Sequence, residues 1–230
     1  MTDNPNPFDR NKCPNYFPQS EISWAVKYFL DALYYKCRLE FETQAPLFKS
    51  NLAKDDGRYQ VVLNQINRLK CNGLKIADVG CGKGCYIKNL LGDVPDAQYF
   101  AVDLSEKVMK NIPERVEKKQ GILTNIPYAD NSFDVTYTTE ALEHAIYTDN
   151  ALKELIRVTK PDGIIIVIDK NKEKLGALEI DNWEQWFDND FFSDIAKDNG
   201  LDLEVISNVS YGEGKSDGLF NAWILKGEVK

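Results

Sequence analysis

Lys75-Ile76-Ala77-Asp78-Val79-Gly80-Cys81-Gly82-Lys83-Gly84-Cys85 is the stretch whose reading decides the fold. An apolar strand runs straight into alternating glycines and then into an expected helix. Such a turn lets backbone amides approach a ligand closely, because no Cβ stands in the way. Its spacing excludes two phosphate-binding turns. A P-loop ends in Gly-Lys-Ser/Thr, whereas Gly84 is followed by Cys85. The dinucleotide fingerprint needs its third glycine where Cys85 again stands. Asp78, inside the strand, would repel a pyrophosphate but suits a ligand that carries an ammonium group. About twenty residues further on, Tyr99-Phe100-Ala101-Val102-Asp103 reads as the next strand, and a carboxylate at its end can accept both hydroxyls of a ribose. Asp103 can equally cap a helix ahead of Ser105–Met109.

Outward from this turn, short apolar runs alternate with amphipathic stretches. Strands are predicted at Ile76–Val79, Tyr99–Val102, Phe133–Tyr137 and Ile164–Ile168, with helices around Tyr86–Leu91, Glu106–Ile112 and Ala151–Val158. That alternation predicts a parallel sheet covered on both faces. Ile164–Ile168 is wholly apolar and follows the turn Pro161-Asp162-Gly163, as a central strand buried on both faces requires. A helix near Trp183–Lys197 precedes two further strands, Leu203–Ile206 and Phe220–Leu225, predicted as an antiparallel hairpin. Before the sheet, residues 1–19 read as an irregular arm with Phe8, Tyr16 and Phe17. Ser20 caps a long helix with Ile22, Val26, Phe29, Leu33 and Cys37 on one face, and a second helix spans Arg58–Leu69. Residues 1–56 are therefore expected to be an arm and helical cap that belong to the same domain as the α/β part, residues 57–230.

Composition bounds the partners. The chain has 230 residues, 43 % hydrophobic and 28 % charged, with a net charge of −8. This is an ordinary globular composition, acidic enough to disfavour nucleic acid and anionic membranes. No apolar run is long enough to span a membrane, and the amino terminus lacks the regions of a signal peptide, so a cytoplasmic protein is expected. Five dispersed cysteines form no disulfide framework and no zinc site.

Four motifs in order carry a family resemblance: Asp78-x-Gly80-x-Gly82-x-Gly84, Asp103, Ile126-Pro-Tyr-Ala-Asp-Asn-Ser-Phe-Asp134 and Ile156-Arg-Val-Thr-Lys-Pro-Asp-Gly163. Together they resemble class I S-adenosylmethionine-dependent methyltransferases over roughly Lys75 to Asp169. The resemblance implies a Rossmann-like, seven-stranded, mostly parallel sheet. It further implies that Asp78, Gly80, Cys81, Gly82 and Gly84 pass the methionine moiety, that Asp103 holds the ribose and that Leu104 lies against adenine. Thr138 would contact the methionine end through its backbone. Family members often carry an acidic residue where Ile122 stands, so adenine recognition is expected from backbone near Leu123 or from a neighbouring side chain.

Glu140-Ala-Leu-Glu143-His144 follows the fourth predicted strand. On a helix, these two carboxylates and the chain's one histidine would share a face. Three readings stand side by side: acidic residues favoured by a helix start with His144 packing, a general base formed by His144 with Glu143, or a site for Mg²⁺ or Mn²⁺ built from Glu140, Glu143 and His144. Asp169 could add a further oxygen ligand. The element is similar to one that holds metal in ubiquinone-pathway O-methyltransferases and small-RNA 2′-O-methyltransferases. Transfer to a hydroxyl of a small molecule is the expected activity. A nucleic-acid or protein methyltransferase is the alternative, and a non-catalytic S-adenosylmethionine-binding protein a third. Lys170, Lys172 and Lys174 read as a solvated loop, and the connection Lys170–Trp186 joins the aromatic arm as a candidate cover for the site.

Overall fold

The computed structural model describes residues 42–179 and 184–227, with scattered helical residues between 32 and 39. The chain divides into two units, residues 1–44 and 45–230. In the first, the Thr43 hydroxyl donates to the Leu39 carbonyl at 2.8 Å and Arg38 pairs with Glu42 at 3.7 Å, the four-residue spacing of a helix. The irregular arm and most of the helix beginning at Ser20 lie outside the described residues.

The second unit holds seven strands: β1 (Lys75–Val79), β2 (Gln98–Asp103), β3 (Glu117–Gln120), β4 (Phe133–Thr139), β5 (Thr159–Lys170), β6 (Leu201–Tyr211) and β7 (Lys215–Gly227). They form one sheet in the order β3-β2-β1-β4-β5-β7-β6. Pairing is parallel from β3 through β5, and β7 runs antiparallel to both β5 and β6. Among the described residues, four α-helices pack on the sheet: α1 (Gly57–Arg68), α2 (Cys85–Asp93), α3 (Thr148–Val158) and α4 (Asn189–Asn199).

Alternation along β5 builds both layers. Ile164, Ile166 and Ile168 pack with Tyr59, Val62 and Ile66 of α1 and with Ile87 and Leu90 of α2. Ile165 and Val167 face the other way, toward Leu152 and Leu155 of α3 and Phe192 of α4. On that side Phe192 stacks on Trp223, with ring centroids 4.3 Å apart, and the Trp223 indole N–H donates to Asn189 at 2.8 Å. The expected Rossmann-like sheet with an antiparallel C-terminal pair is therefore the fold.

Three local expectations are corrected. The helix predicted over Glu106–Ile112 shrinks to a 3-10 turn at Val108–Asn111. Ile112 is already extended (φ −72°, ψ 134°), as a residue before proline tends to be, and Pro113 follows it. The helix predicted from Trp183 starts at Asn189, because the Asp188 carboxylate caps it by accepting from the Phe191 amide at 3.0 Å. Lys170 is not in a solvated loop: it ends β5, pairs in register with Phe220 and is buried.

Strand order reverses at β1, which pairs with β2 on one side and β4 on the other. Open α/β sheets bind ligands in the crevice at such a switch point, outside the carboxyl ends of the strands.

Candidate active site

The glycine turn at the carboxyl end of β1 is held from below by β2. The amides of Gly80 and Cys81 both donate to the Val102 carbonyl, at 2.8 and 3.0 Å. The Gly82 amide donates to one Asp103 carboxylate oxygen at 2.9 Å, and the Ser105 amide to the other at 2.9 Å. Gly80, Gly82 and Gly84 all have positive φ, of 81°, 51° and 68°. At Gly80 a Cβ would lie 2.4 Å from the Ala141 Cβ, so the turn and the loop after β4 touch there. At Gly82 a Cβ would meet nothing within 4 Å, which leaves open space above the backbone.

Among the described residues, two buried polar atoms on the strands that end at this turn and beside it have no hydrogen-bond partner. They are Asp78 Oδ1 and Thr138 Oγ1. The other Asp78 oxygen accepts from the Tyr137 hydroxyl at 3.0 Å. Burial pushes the Asp78 carboxyl up to about 8, with Tyr137 opposing and the nearby Asp103 charge adding to the rise. An ammonium group would offset that burial. An open glycine cradle, a half-buried carboxylate at the end of β2 and an orphaned carboxylate oxygen fit S-adenosylmethionine, whose ribose and methionine ammonium need such partners. Cys81 is buried beneath the turn. Leu104 is half-buried, with its carbonyl accepting from the Gln120 amide group at 2.8 Å, and Leu123 packs against the second core layer.

Beyond β4 the acidic motif does not form the expected helix face. Only Leu142–His144 adopt a 3-10 turn, and Glu140 precedes it at φ 50°. Glu140 points instead to Arg58 of α1, whose guanidinium hydrogen-bonds its carboxylate. Arg58 is also gripped by Asp56 through two hydrogen bonds, at 3.0 and 2.8 Å, and sits 4.9 Å from the centre of the Phe220 ring. Glu143 is buried and takes a different cation. Lys170 Nζ lies 2.8 and 2.6 Å from its two oxygens and 3.0 Å from a Glu184 oxygen. His144 Nε2 stands 3.4 Å from Glu143 Oε1. Burial alone would lower the Lys170 ammonium, but the Glu143 and Glu184 carboxylates raise it above its ordinary range.

The structure thus brings Glu143 and His144 together and leaves Glu140 apart. Glu143, His144 and Glu184 place one ligand atom each within 4.8 Å of one another, a set suited by type to a divalent cation. It does not fit one as it stands, because the Lys170 ammonium already bonds two of the three ligands. Nor is Asp169 available: it is fully buried, and its oxygens accept the Lys170 amide at 2.8 Å and the Glu143 amide at 3.1 Å. Burial and the facing Glu143 carboxylate push its carboxyl well up. Sequence reasoning missed Arg58, Lys170 and Glu184. The one signal was Lys170 itself, placed directly after a strand-ending aspartate.

Residues 77–167 match the methyltransferase domain family. The fold is that of a crystal structure of an S-adenosylmethionine-dependent methyltransferase from Thermotoga maritima, with a TM-score of 0.57, 19 % identity and coverage of 82 % of this chain and 95 % of that one. The fold is therefore the one seen in S-adenosylmethionine-dependent methyltransferases, and residues 77–167 are similar to a methyltransferase domain. A demethylmenaquinone methyltransferase of Lactobacillus johnsonii is 26 % identical over 148 residues, 60 % of this chain and 59 % of the relative. A ubiquinone/menaquinone biosynthesis C-methyltransferase of Burkholderia cenocepacia is 31 % identical over 109 residues, 44 % of each. The chain spans about half the length of such curated relatives. Among the described residues, no helix is long and apolar enough to cross a membrane.

Proposed function

We propose that this chain transfers the methyl group of S-adenosylmethionine to a hydroxyl of a small-molecule acceptor. The observation that carries this reading is the contact of two loops at the switch point. The glycine turn with Asp78 and Asp103 meets the β4 loop at Ala141, and His144 and Glu143 follow within that loop. When bound, the cofactor supplies a methyl group on a sulfonium, open to in-line displacement. Asp103 would hold the ribose hydroxyls, the Asp78 carboxylate the methionine ammonium, and the Gly82 backbone the chain between them. Leu104 would lie against adenine, with backbone near Leu123 at its edge and Thr138 at the methionine end. His144 takes the acceptor's hydroxyl proton, and Glu143, 3.4 Å away, stabilises the imidazolium that results. Proximity does the rest: acceptor and methyl must be aligned before displacement.

A second reading is favoured by the relatives, since one is named a C-methyltransferase. In that reading the same base would remove the proton of a ring hydroxyl, and the neighbouring ring carbon would take the methyl as the methyl–sulfur bond breaks. That carbon's own proton would then be lost as the ring hydroxyl is restored. A net charge of −8 argues against RNA as the acceptor. The test is transfer from methyl-labelled S-adenosylmethionine to a metabolite pool, to RNA and to protein, side by side. Label in the small-molecule fraction is expected, and label confined to RNA or protein would overturn the reading. With a ¹³C-methyl donor, the carbon shift of the product separates a methoxy from a C-methyl group.

A further inference from the structure

The acidic motif after β4 looks like a metal site in sequence, yet each of its carboxylates already has a cation from this chain. Glu140 is held by Arg58, and Glu143 by Lys170. The second pairing is the informative one. Lys170 is 7 % exposed, ends β5 and inserts its ammonium between Glu143 and Glu184, at 2.6 and 3.0 Å. The Trp186 indole N–H donates to the same Glu184 oxygen at 3.1 Å, and the Gln185 amide donates to the Glu143 carbonyl at 2.8 Å, so the cage is braced from a third segment. A divalent ion on Glu143, His144 and Glu184 would have to displace a buried ammonium or sit beside it, and like charges at that range repel strongly in a poorly solvated site.

We infer that Lys170 is a built-in replacement for a divalent cation, a positioning residue whose ammonium fixes Glu143 beside His144 so that the site works without metal. An ammonium supplies the charge but no open coordination position. It can therefore orient the base pair and cannot act as a Lewis acid on the acceptor. Lys170's role rests on the transfer site proposed above, while metal binding is read without turnover, so either can fail alone.

The experiment titrates the full chain with Mn²⁺ alone and follows free Mn²⁺ by electron paramagnetic resonance. Wild type should take up no ion at this cluster. Lys170→Met should bind one, and adding His144→Ala should weaken that binding by at least the roughly 10–100-fold that loss of a mere partner of a ligand costs. Mn²⁺ binding by wild type that Glu143→Gln abolishes would overturn the inference, as would activity lost to chelator and restored by Mg²⁺ or Mn²⁺. Should Lys170→Met not fold, Lys170→Arg carries the test. It keeps the charge and should retain transfer that Lys170→Gln loses, and equal loss in both folded variants would also overturn it.

Discussion

One Asp103 oxygen accepts the Gly82 amide at 2.9 Å, so the residue proposed to hold the ribose also holds the glycine turn in place. The other oxygen is engaged by the Ser105 amide at 2.9 Å. Asp103→Ala should therefore do two things at once. It should weaken cofactor binding by about 1.5–3 kcal/mol, the value of a charge-assisted hydrogen bond, and lower the melting temperature of the free protein. Asp103→Asn keeps an acceptor for one amide and should spare most of the stability while still losing affinity. Calorimetry and thermal unfolding of both variants check this. Unchanged affinity in Asp103→Ala would remove the ribose assignment.

The glycines of the turn should fail in different ways. Gly80→Ala drives a Cβ to within 2.4 Å of the Ala141 Cβ at a φ of 81°, so the loop after β4 must move. Overpacking of that kind costs about 1–3 kcal/mol, before the strain of the positive φ is added. Gly82→Ala meets no atom within 4 Å, and its cost to the fold is only the left-handed φ, about 1–2 kcal/mol. The space it fills is the proposed ligand space. Thermal unfolding should rank Gly80→Ala as the less stable protein, and Gly82→Ala should show the larger loss of binding relative to its loss of stability.

Asp78 should make stability, and the proposed cofactor binding, depend on pH. Its carboxyl is raised by burial to about 8 in the folded chain, against an ordinary value near 4 when unfolded. Between those values the folded state holds a proton that the unfolded state has released. The stabilising contribution is fully present below about pH 4, declines as pH rises and levels off above about 8. Asp78→Asn should flatten that part of the stability–pH curve. Binding an ammonium favours the carboxylate, so cofactor binding near pH 7 should release a proton. Calorimetry in buffers of different ionisation enthalpy should show this for wild type and not for Asp78→Asn.

The parts legible in the sequence are those where one local rule decides. Alternating glycines after an apolar strand specify the turn, and the run Ile164–Ile168 specifies a strand buried on both faces. Strand β3 was not legible. Glu117–Gln120 has no apolar residue, alternates exposed with half-buried positions and is a strand because β2 offers it an edge. The acidic motif misled for a related reason. Its spacing fits a helix face, but the Glu140 amide donates to the Ile168 carbonyl at 2.9 Å and the residue turns to φ 50°. That places its carboxylate beside Arg58, a residue 82 positions earlier that no local pattern connects to it. Lys170 was misread because lysine, aspartate and glutamate in alternation resemble a solvated loop until β7 is known to pair with it.

The last prediction separates the members of the motif by where each side chain goes. His144→Ala should lower kcat by roughly 10²–10⁴-fold, the usual share of a general base, with cofactor affinity nearly intact because His144 is not among the proposed partners of the cofactor. Glu143→Gln should also lower kcat, since His144 Nε2 stands 3.4 Å from its carboxylate and the imidazolium would lose that charge. Glu140→Ala should behave differently. Its partner is Arg58, which keeps both hydrogen bonds to Asp56, so the expected loss is about 1–2 kcal/mol of stability with kcat little changed. A uniform loss of kcat across all three variants would mean that Glu140 works with His144 in a state of the loop other than this one. Full activity of both His144→Ala and Glu143→Gln would leave the pair as packing alone, and the base would have to be sought elsewhere along the carboxyl edge of the sheet.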